Sequence, residues 1–236
     1  MTEQIFLETC WWALLLTAFI SYLLGSINFA IIVTKWRSHE DIRSYGSGNA
    51  GATNVLRSQG KTAALLTTVG DLGKSVLSVL IGFWLVRFAA TSAGYATDTG
   101  SYELAGKFLA GLCCIIGHLY PIFFGFRGGK GVMTTLGMML ILDWRAALCC
   151  LAVFILVVLF SRMVSLGSIL AALCLTPTIL LFSWYVDHQT NQSVLCFCGS
   201  MTFLIAAILI VKHIPNIKRI VNGTENKLSF GKKEKS

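Results

Sequence analysis

Three short stretches carry residue types that suit the handling of anions. The first runs from Ser44 to Arg57 and holds Gly46, Gly48 and Gly51 among small polar side chains. Glycines let a backbone turn sharply and bring its N–H groups close to an anion. Ser47, Asn49, Thr53 and Asn54 add side-chain donors, and Arg57 can grip a phosphate through two parallel bonds. The second stretch is Phe126-Arg127-Gly128-Gly129-Lys130-Gly131. It is not a Walker A loop: Phe124 stands where the first glycine belongs, and Gly131 follows Lys130 where Ser or Thr is required. Arg127 and Lys130 also suit snorkelling at a span end, but the interleaved glycines favour phosphate contact. The third stretch is His213-Ile214-Pro215-Asn216, which supplies an imidazole and an amide. Together the three describe a site for one or more phosphates at a membrane surface.

The elements that position these groups are apolar. The 236 residues are 55% hydrophobic and 13% charged, about half the charge of an average soluble domain. Apolar runs cover residues 6–34, 62–90, 104–124, 132–142, 146–160, 164–186 and 194–213. We read them as seven transmembrane helices of one all-α integral membrane domain, with 132–142 the shortest. Glu3 precedes the first run, Glu8 lies near its start and no basic segment comes before it, so it reads as a span and not a cleaved leader. Gly25-Ser26-Ile27-Asn28 within it suits a helix–helix contact. The tail from 214 is basic and polar.

Charge sets the expected orientation. With the amino terminus outside, 15 of the 19 Lys and Arg residues fall on the cytoplasmic side, and only Lys74, Arg87, Lys107 and Arg145 do not. This follows the positive-inside rule. Fusing 132–142 with 146–160 would leave six spans and carry the basic tail outside. Seven spans place both glycine-rich loops and the start of the tail on the cytoplasmic face. The net charge of +8 then suits anionic lipid and anionic substrates, not nucleic acid.

Other chemistries lack their residues. The eight cysteines lie mostly in apolar runs with no CxxC pair, so they read as free thiols with no metal site. No GxSxG appears. The fifth residue after each histidine is Ser44, Phe123, Ser193 or Lys218, so no HxxxxD dyad exists. An anion transporter would need paired inverted halves, and no such repeat is present. Asp71 and Lys74 share one face of the second span and must meet each other, a neighbour or a water-filled pocket. His118 reads as a helix-end residue. Ser165 and Ser168 suit a helix cap or a place lining the site.

Three motifs together resemble the bacterial acyl-phosphate:glycerol-3-phosphate acyltransferase family. They are Gly25-Ser26-Ile27 with Asp41-Ile42-Arg43 and Gly46 to Arg57; Gly117-His118-x-x-Pro121-x-Phe123 with Phe126 to Thr134; and His213-x-x-Asn216-Ile217-x-Arg219 with Gly223-Thr224-Glu225. The resemblance implies a seven-span enzyme of the bacterial inner membrane with a cytoplasmic site. It implies transfer of a fatty acyl group from acyl phosphate to the 1-hydroxyl of glycerol 3-phosphate, the first step of phospholipid synthesis. By motif match, Ser47, Arg57, Lys130, His213 and Asn216 are its key site residues. Gly48, Asn49, Thr53, Asn54, Gly128 and Gly129 fall in its phosphate-binding loops, and Ser168 lies at a polar position of its pocket. No cofactor is implied. The implied partners are the two substrates, membrane lipid and, transiently, the enzyme that makes acyl phosphate. The chain departs from the family pattern at Asn28, usually proline, at Ser75, usually glycine, at Arg127, usually lysine, and at the spacer Pro215.

Overall fold

The computed structural model describes residues 2–94 and 100–228. Asp98 and the tail residues Lys232, Lys233 and Lys235 lie outside the described residues. The chain divides into two compact units, one running through Trp144 and one starting at Arg145.

The first unit contains α1 (Thr2–Ser26), α2 (Phe29–Ser38), α3 (Ala52–Gln59), α4 (Lys61–Ser92), α5 (Gly100–Leu119) and α6 (Val132–Leu142). Helices α1, α4 and α5 pack on one another, and α6 lies against α4 and α5. Small residues make this close packing possible. A Cβ on Gly82 would lie 2.6 Å from the Gly106 carbonyl, and one on Gly106 would lie 2.7 Å from the Gly82 carbonyl, so α4 and α5 touch backbone to backbone. Gly25 of α1 meets the backbone of Cys114 in the same way, as the helix-contact reading of that segment requires.

The second unit contains α7, most of which lies in it (Trp144–Ser161), then α8 (Val164–Tyr185), α9 (Gln192–Lys212) and α10 (Ile214–Val221). Helices α8 and α9 pack together, and α10 rests on both. Arg145 donates to both carboxylate oxygens of Asp187, at 2.9 and 2.7 Å. Its guanidinium also lies 5.2 Å from the centre of the Phe182 ring. These bonds hold the Asp187 carboxyl below its ordinary range.

Among the described residues, six stretches are long and apolar enough to cross a membrane: Thr9–Ser38, Lys61–Ser92, Gly100–Phe124, Trp144–Ser161, Val164–Tyr185 and Gln192–Lys212. Large apolar side chains such as Trp11, Phe19, Trp84, Phe160 and Phe203 are exposed on them, as lipid-facing positions should be. Two features differ from the sequence expectation. The first span is broken, because Asn28 accepts from Ile31 N at 3.2 Å and caps a new helix. The connection 35–60 is not a loop throughout, since it holds the end of α2 and all of α3. The seventh expected span, α6, has 11 residues. That gives about 16 Å of helix against a hydrocarbon core of about 30 Å.

Candidate active site

The first glycine-rich segment is built around Asn54. This side chain is buried, and its Nδ2 donates to the carbonyls of Ile42, Tyr45 and Asn49 at 3.1, 2.9 and 3.1 Å. Its Oδ1 accepts from Ser47 N at 3.2 Å. Asn54 therefore shapes the segment from within, where the sequence alone suggests an amide donating to phosphate. Gly46 and Gly48 adopt positive φ of 54° and 69°, which L side chains rarely take. Ile31, Ile42, Ala50, Val55 and Ala63 form the apolar floor. On this floor Ser47, Gly48 and Arg57 are exposed, and Asn49 and Thr53 are half-buried.

The second glycine-rich segment folds back on the end of α5. Gly128 N donates to Leu119 O at 3.2 Å, and Gly129 N to His118 O at 3.1 Å. Both N–H groups are thus committed to carbonyls that a helix end leaves open, so any anion contact of this segment falls to its other groups. The two glycines are needed for close approach. A Cβ on Gly128 would strike the His118 carbonyl, and one on Gly129 would strike the His118 ring and the Ala50 carbonyl. Gly131, with φ of 85°, turns the chain into α6. Helix α3 begins directly after Gly51 and α6 directly after Gly131. The first-turn N–H groups of a helix carry partial positive charge, so each segment ends at a feature suited to anions.

The two segments lie side by side. Arg43 Nη1 donates to Phe124 O at 2.7 Å and to Arg127 O at 3.1 Å. The same guanidinium is held by Asp41, with Nε to Oδ1 at 3.0 Å and Nη2 to Oδ2 at 2.8 Å. The hydrogen bond from Arg43 holds the Asp41 carboxyl below its usual range. Gly129 sits against Ala50, so Lys130 follows a point of direct contact with the first segment. The structure thus brings Ser47–Arg57 and Arg127–Gly131 to one end of the first unit.

His213 and Asn216 belong to the second unit. His213 is buried and ends α9, with Nδ1 2.8 Å from Leu209 O. A carbonyl only accepts, so the ring proton is on Nδ1, and in the neutral ring Nε2 carries the lone pair. Pro215 occupies the first turn of α10, where its missing N–H is no loss. Asn216 is buried, and its Nδ2 donates to Glu225 Oε1 at 2.8 Å. Ser165 Oγ donates to the same oxygen at 2.8 Å, and Arg219 Nε to Oε2 at 2.8 Å. Burial would raise the Glu225 carboxyl pKa, but the bonds from Asn216, Ser165 and Arg219 outweigh it, and the group stays below its ordinary range. Neither serine caps α8: its N-cap is Met163, and Ser168 Oγ donates to Val164 O at 2.9 Å.

Glu225 is the organising residue here, although it lies outside the site residues that the motifs imply. Its signal was one of only two carboxylates in a basic tail, six residues after Arg219 and nine after Asn216. Arg43 was missed likewise, because its partners are main-chain carbonyls 81 and 84 residues away. Among the described residues no His, Cys, Asp and Glu group is placed to hold a metal ion.

Comparison with known proteins places these features in a family. The family model described as glycerol-3-phosphate acyltransferase matches residues 15–223. A glycerol-3-phosphate acyltransferase of Clostridioides difficile is 43% identical over 214 residues, covering 91% of this chain and 95% of its own. One from Laribacter hongkongensis is 41% identical over 214 residues, covering 91% and 96%. Among solved structures, the integral membrane glycerol 3-phosphate acyltransferase PlsY in its glycerol 3-phosphate form is similar, with a TM-score of 0.72 and 34% identity over 92% of this chain and 96% of that one. Its lysophosphatidic acid form has a TM-score of 0.69. The chain belongs to the glycerol-3-phosphate acyltransferase family, integral membrane enzymes of phospholipid biosynthesis.

Proposed function

We propose that this protein transfers a fatty acyl group from acyl phosphate to the 1-hydroxyl of glycerol 3-phosphate, releasing lysophosphatidic acid and inorganic phosphate. The observation that carries this reading is the pairing of the two glycine-rich segments through Arg43 and the Gly129–Ala50 contact. Two phosphates repel, and holding them together needs several preorganised positive groups. The starts of α3 and α6, with Arg57 and Lys130, supply them. Ser47, Gly48, Asn49 and Thr53 complete the first phosphate cradle, and Asn54 sets its shape. Gly128 and Gly129 let the second segment approach the first. A relative solved with glycerol 3-phosphate and with lysophosphatidic acid supports the acceptor and the product.

His213 and Asn216 position glycerol 3-phosphate, and Ser168 belongs to the substrate-binding set. The hydroxyl oxygen attacks the acyl carbonyl carbon, the bond from that carbon to the phosphate oxygen breaks, and phosphate leaves with the electron pair. The hydroxyl proton goes to His213 Nε2 or to the donor phosphate, and the pH profile of H213A separates the two. Acyl phosphate is already activated, so no covalent enzyme intermediate and no cofactor are needed.

The protein sits in the bacterial inner membrane with seven crossings, the amino terminus outside and the site on the cytoplasmic face. The short α6 completes the count because it packs against α4 and α5, so lipid need not cover its ends. The enzyme that forms acyl phosphate docks only transiently. Purified protein given palmitoyl phosphate and glycerol 3-phosphate tests the reading. Release of phosphate with formation of lysophosphatidic acid is expected, and activity with palmitoyl-CoA alone would overturn the donor assignment.

A further inference from the structure

A charged cluster outside the groups assigned above lies inside the first unit. Lys74 Nζ is 2.8 Å from Asp71 Oδ1 and 3.0 Å from His118 Nδ1. It also donates to Gly25 O at 3.0 Å and Ile27 O at 2.7 Å, where α1 ends. Asp71, Lys74 and His118 are 1%, 5% and 4% exposed, in segments long enough to span a membrane. Burying ionisable groups so deeply is costly even when they are paired, so such groups mark a task.

Both glycine-rich segments hang on this one ammonium. On one side, Lys74 holds Ile27 O, and the next residue, Asn28, donates through Nδ2 to Ala50 O at 3.4 Å. On the other, Lys74 donates to His118 Nδ1, which puts the ring proton on Nε2. That edge of the ring packs on Gly129, whose N–H bonds to the His118 carbonyl at 3.1 Å. Ala50 and Gly129 are the point where the segments touch.

We propose that Asp71, Lys74 and His118 form a positioning cluster that sets the spacing between the two phosphate-binding segments. Asp71 lies against the ammonium, Lys74 ties the helix break to the imidazole, and the imidazole seats Gly129 against Ala50. The proposal rests on the reading that these segments hold the substrate phosphates.

Calorimetric titration of the detergent-purified full chain with glycerol 3-phosphate tests it without an acyl donor. Stoichiometry reports how many molecules are folded, and Kd reports how well the site is set. Replacing the ion pair with apolar residues of similar size, in D71L/K74M, should weaken binding about tenfold at unchanged stoichiometry. H118N keeps an acceptor near the Nδ1 position and should bind within about threefold of wild type, whereas H118Q cannot place one there and should match D71L/K74M. Wild-type Kd in D71L/K74M, or a fall in stoichiometry alone, overturns the proposal. If D71L/K74M does not fold, H118N and H118Q decide, and equal affinity overturns it. Wild-type binding without turnover of acyl phosphate sinks only the donor reading; absence of wild-type binding sinks both.

Discussion

The side-chain nitrogen of Asn216 donates to Glu225 Oε1 over 2.8 Å. The bond ties a motif residue on α10 to the chain just beyond it. With Ser165 and Arg219 on the same carboxylate, it fixes α10 relative to the start of α8. Removing the carboxylate leaves buried donors unsatisfied. E225A should therefore destabilise the protein by about 2 kcal/mol and lower turnover through Asn216. E225Q retains an acceptor for Asn216 and Ser165 but turns an amide towards Arg219 Nε, so it should fall between. Thermal unfolding in detergent, read beside phosphate release, checks the order.

The same carboxylate predicts a pH dependence. Its folded-state pKa lies below the ordinary value, so the unfolded chain takes up the proton more readily. The stabilisation is complete above the usual glutamate pKa of about 4.3. It is lost as pH falls through the lower folded-state value. Thermal midpoints of wild type should drop across that acidic window, and the drop should be smaller in E225Q. Parallel curves for the two proteins would exclude Glu225 as the titrating group.

Arg43 bridges the two glycine-rich segments through two carbonyls while Asp41 holds its other edge. A lysine has no planar fork to make these bonds together. R43A and R43K should both raise KM for at least one phosphate substrate by about tenfold. Recovery of wild-type KM by R43K would show that charge alone suffices.

Asn54 uses both ends of its amide, and aspartate can replace only the accepting end. N54D should therefore be as harmful as N54A, each costing about 2 kcal/mol. Circular dichroism melts read this directly; a near-wild-type melt for N54D would mean that the three carbonyls find other donors.

Lys130 stands beside the start of α6 and Arg57 lies in the last turn of α3; we assign both to phosphate. R57A and K130A should each lower kcat/KM by about a hundredfold or more while leaving the melting midpoint nearly unchanged. Matched losses of stability and activity would instead mark them as structural.

Much of this molecule is local and could be read from the chain. Runs of apolar residues long enough to cross lipid are visible without a fold, and α4, α7, α8 and α9 start and end within about two residues of those runs. The glycine-rich segments were legible because positive φ and close backbone contact favour glycine. The Asp71–Lys74 contact was legible because residues three apart share a helix face. Partners distant in sequence were not. Nothing in the residue types says that Asn54 folds inward, that Gly128 and Gly129 donate to the end of α5, or that Arg43 reaches carbonyls more than 80 residues away. Residue type determined which groups can bind phosphate and which stretches enter lipid. Tertiary structure alone decided which donors are already committed, because a hydrogen bond depends on where two segments meet and not on what either contains.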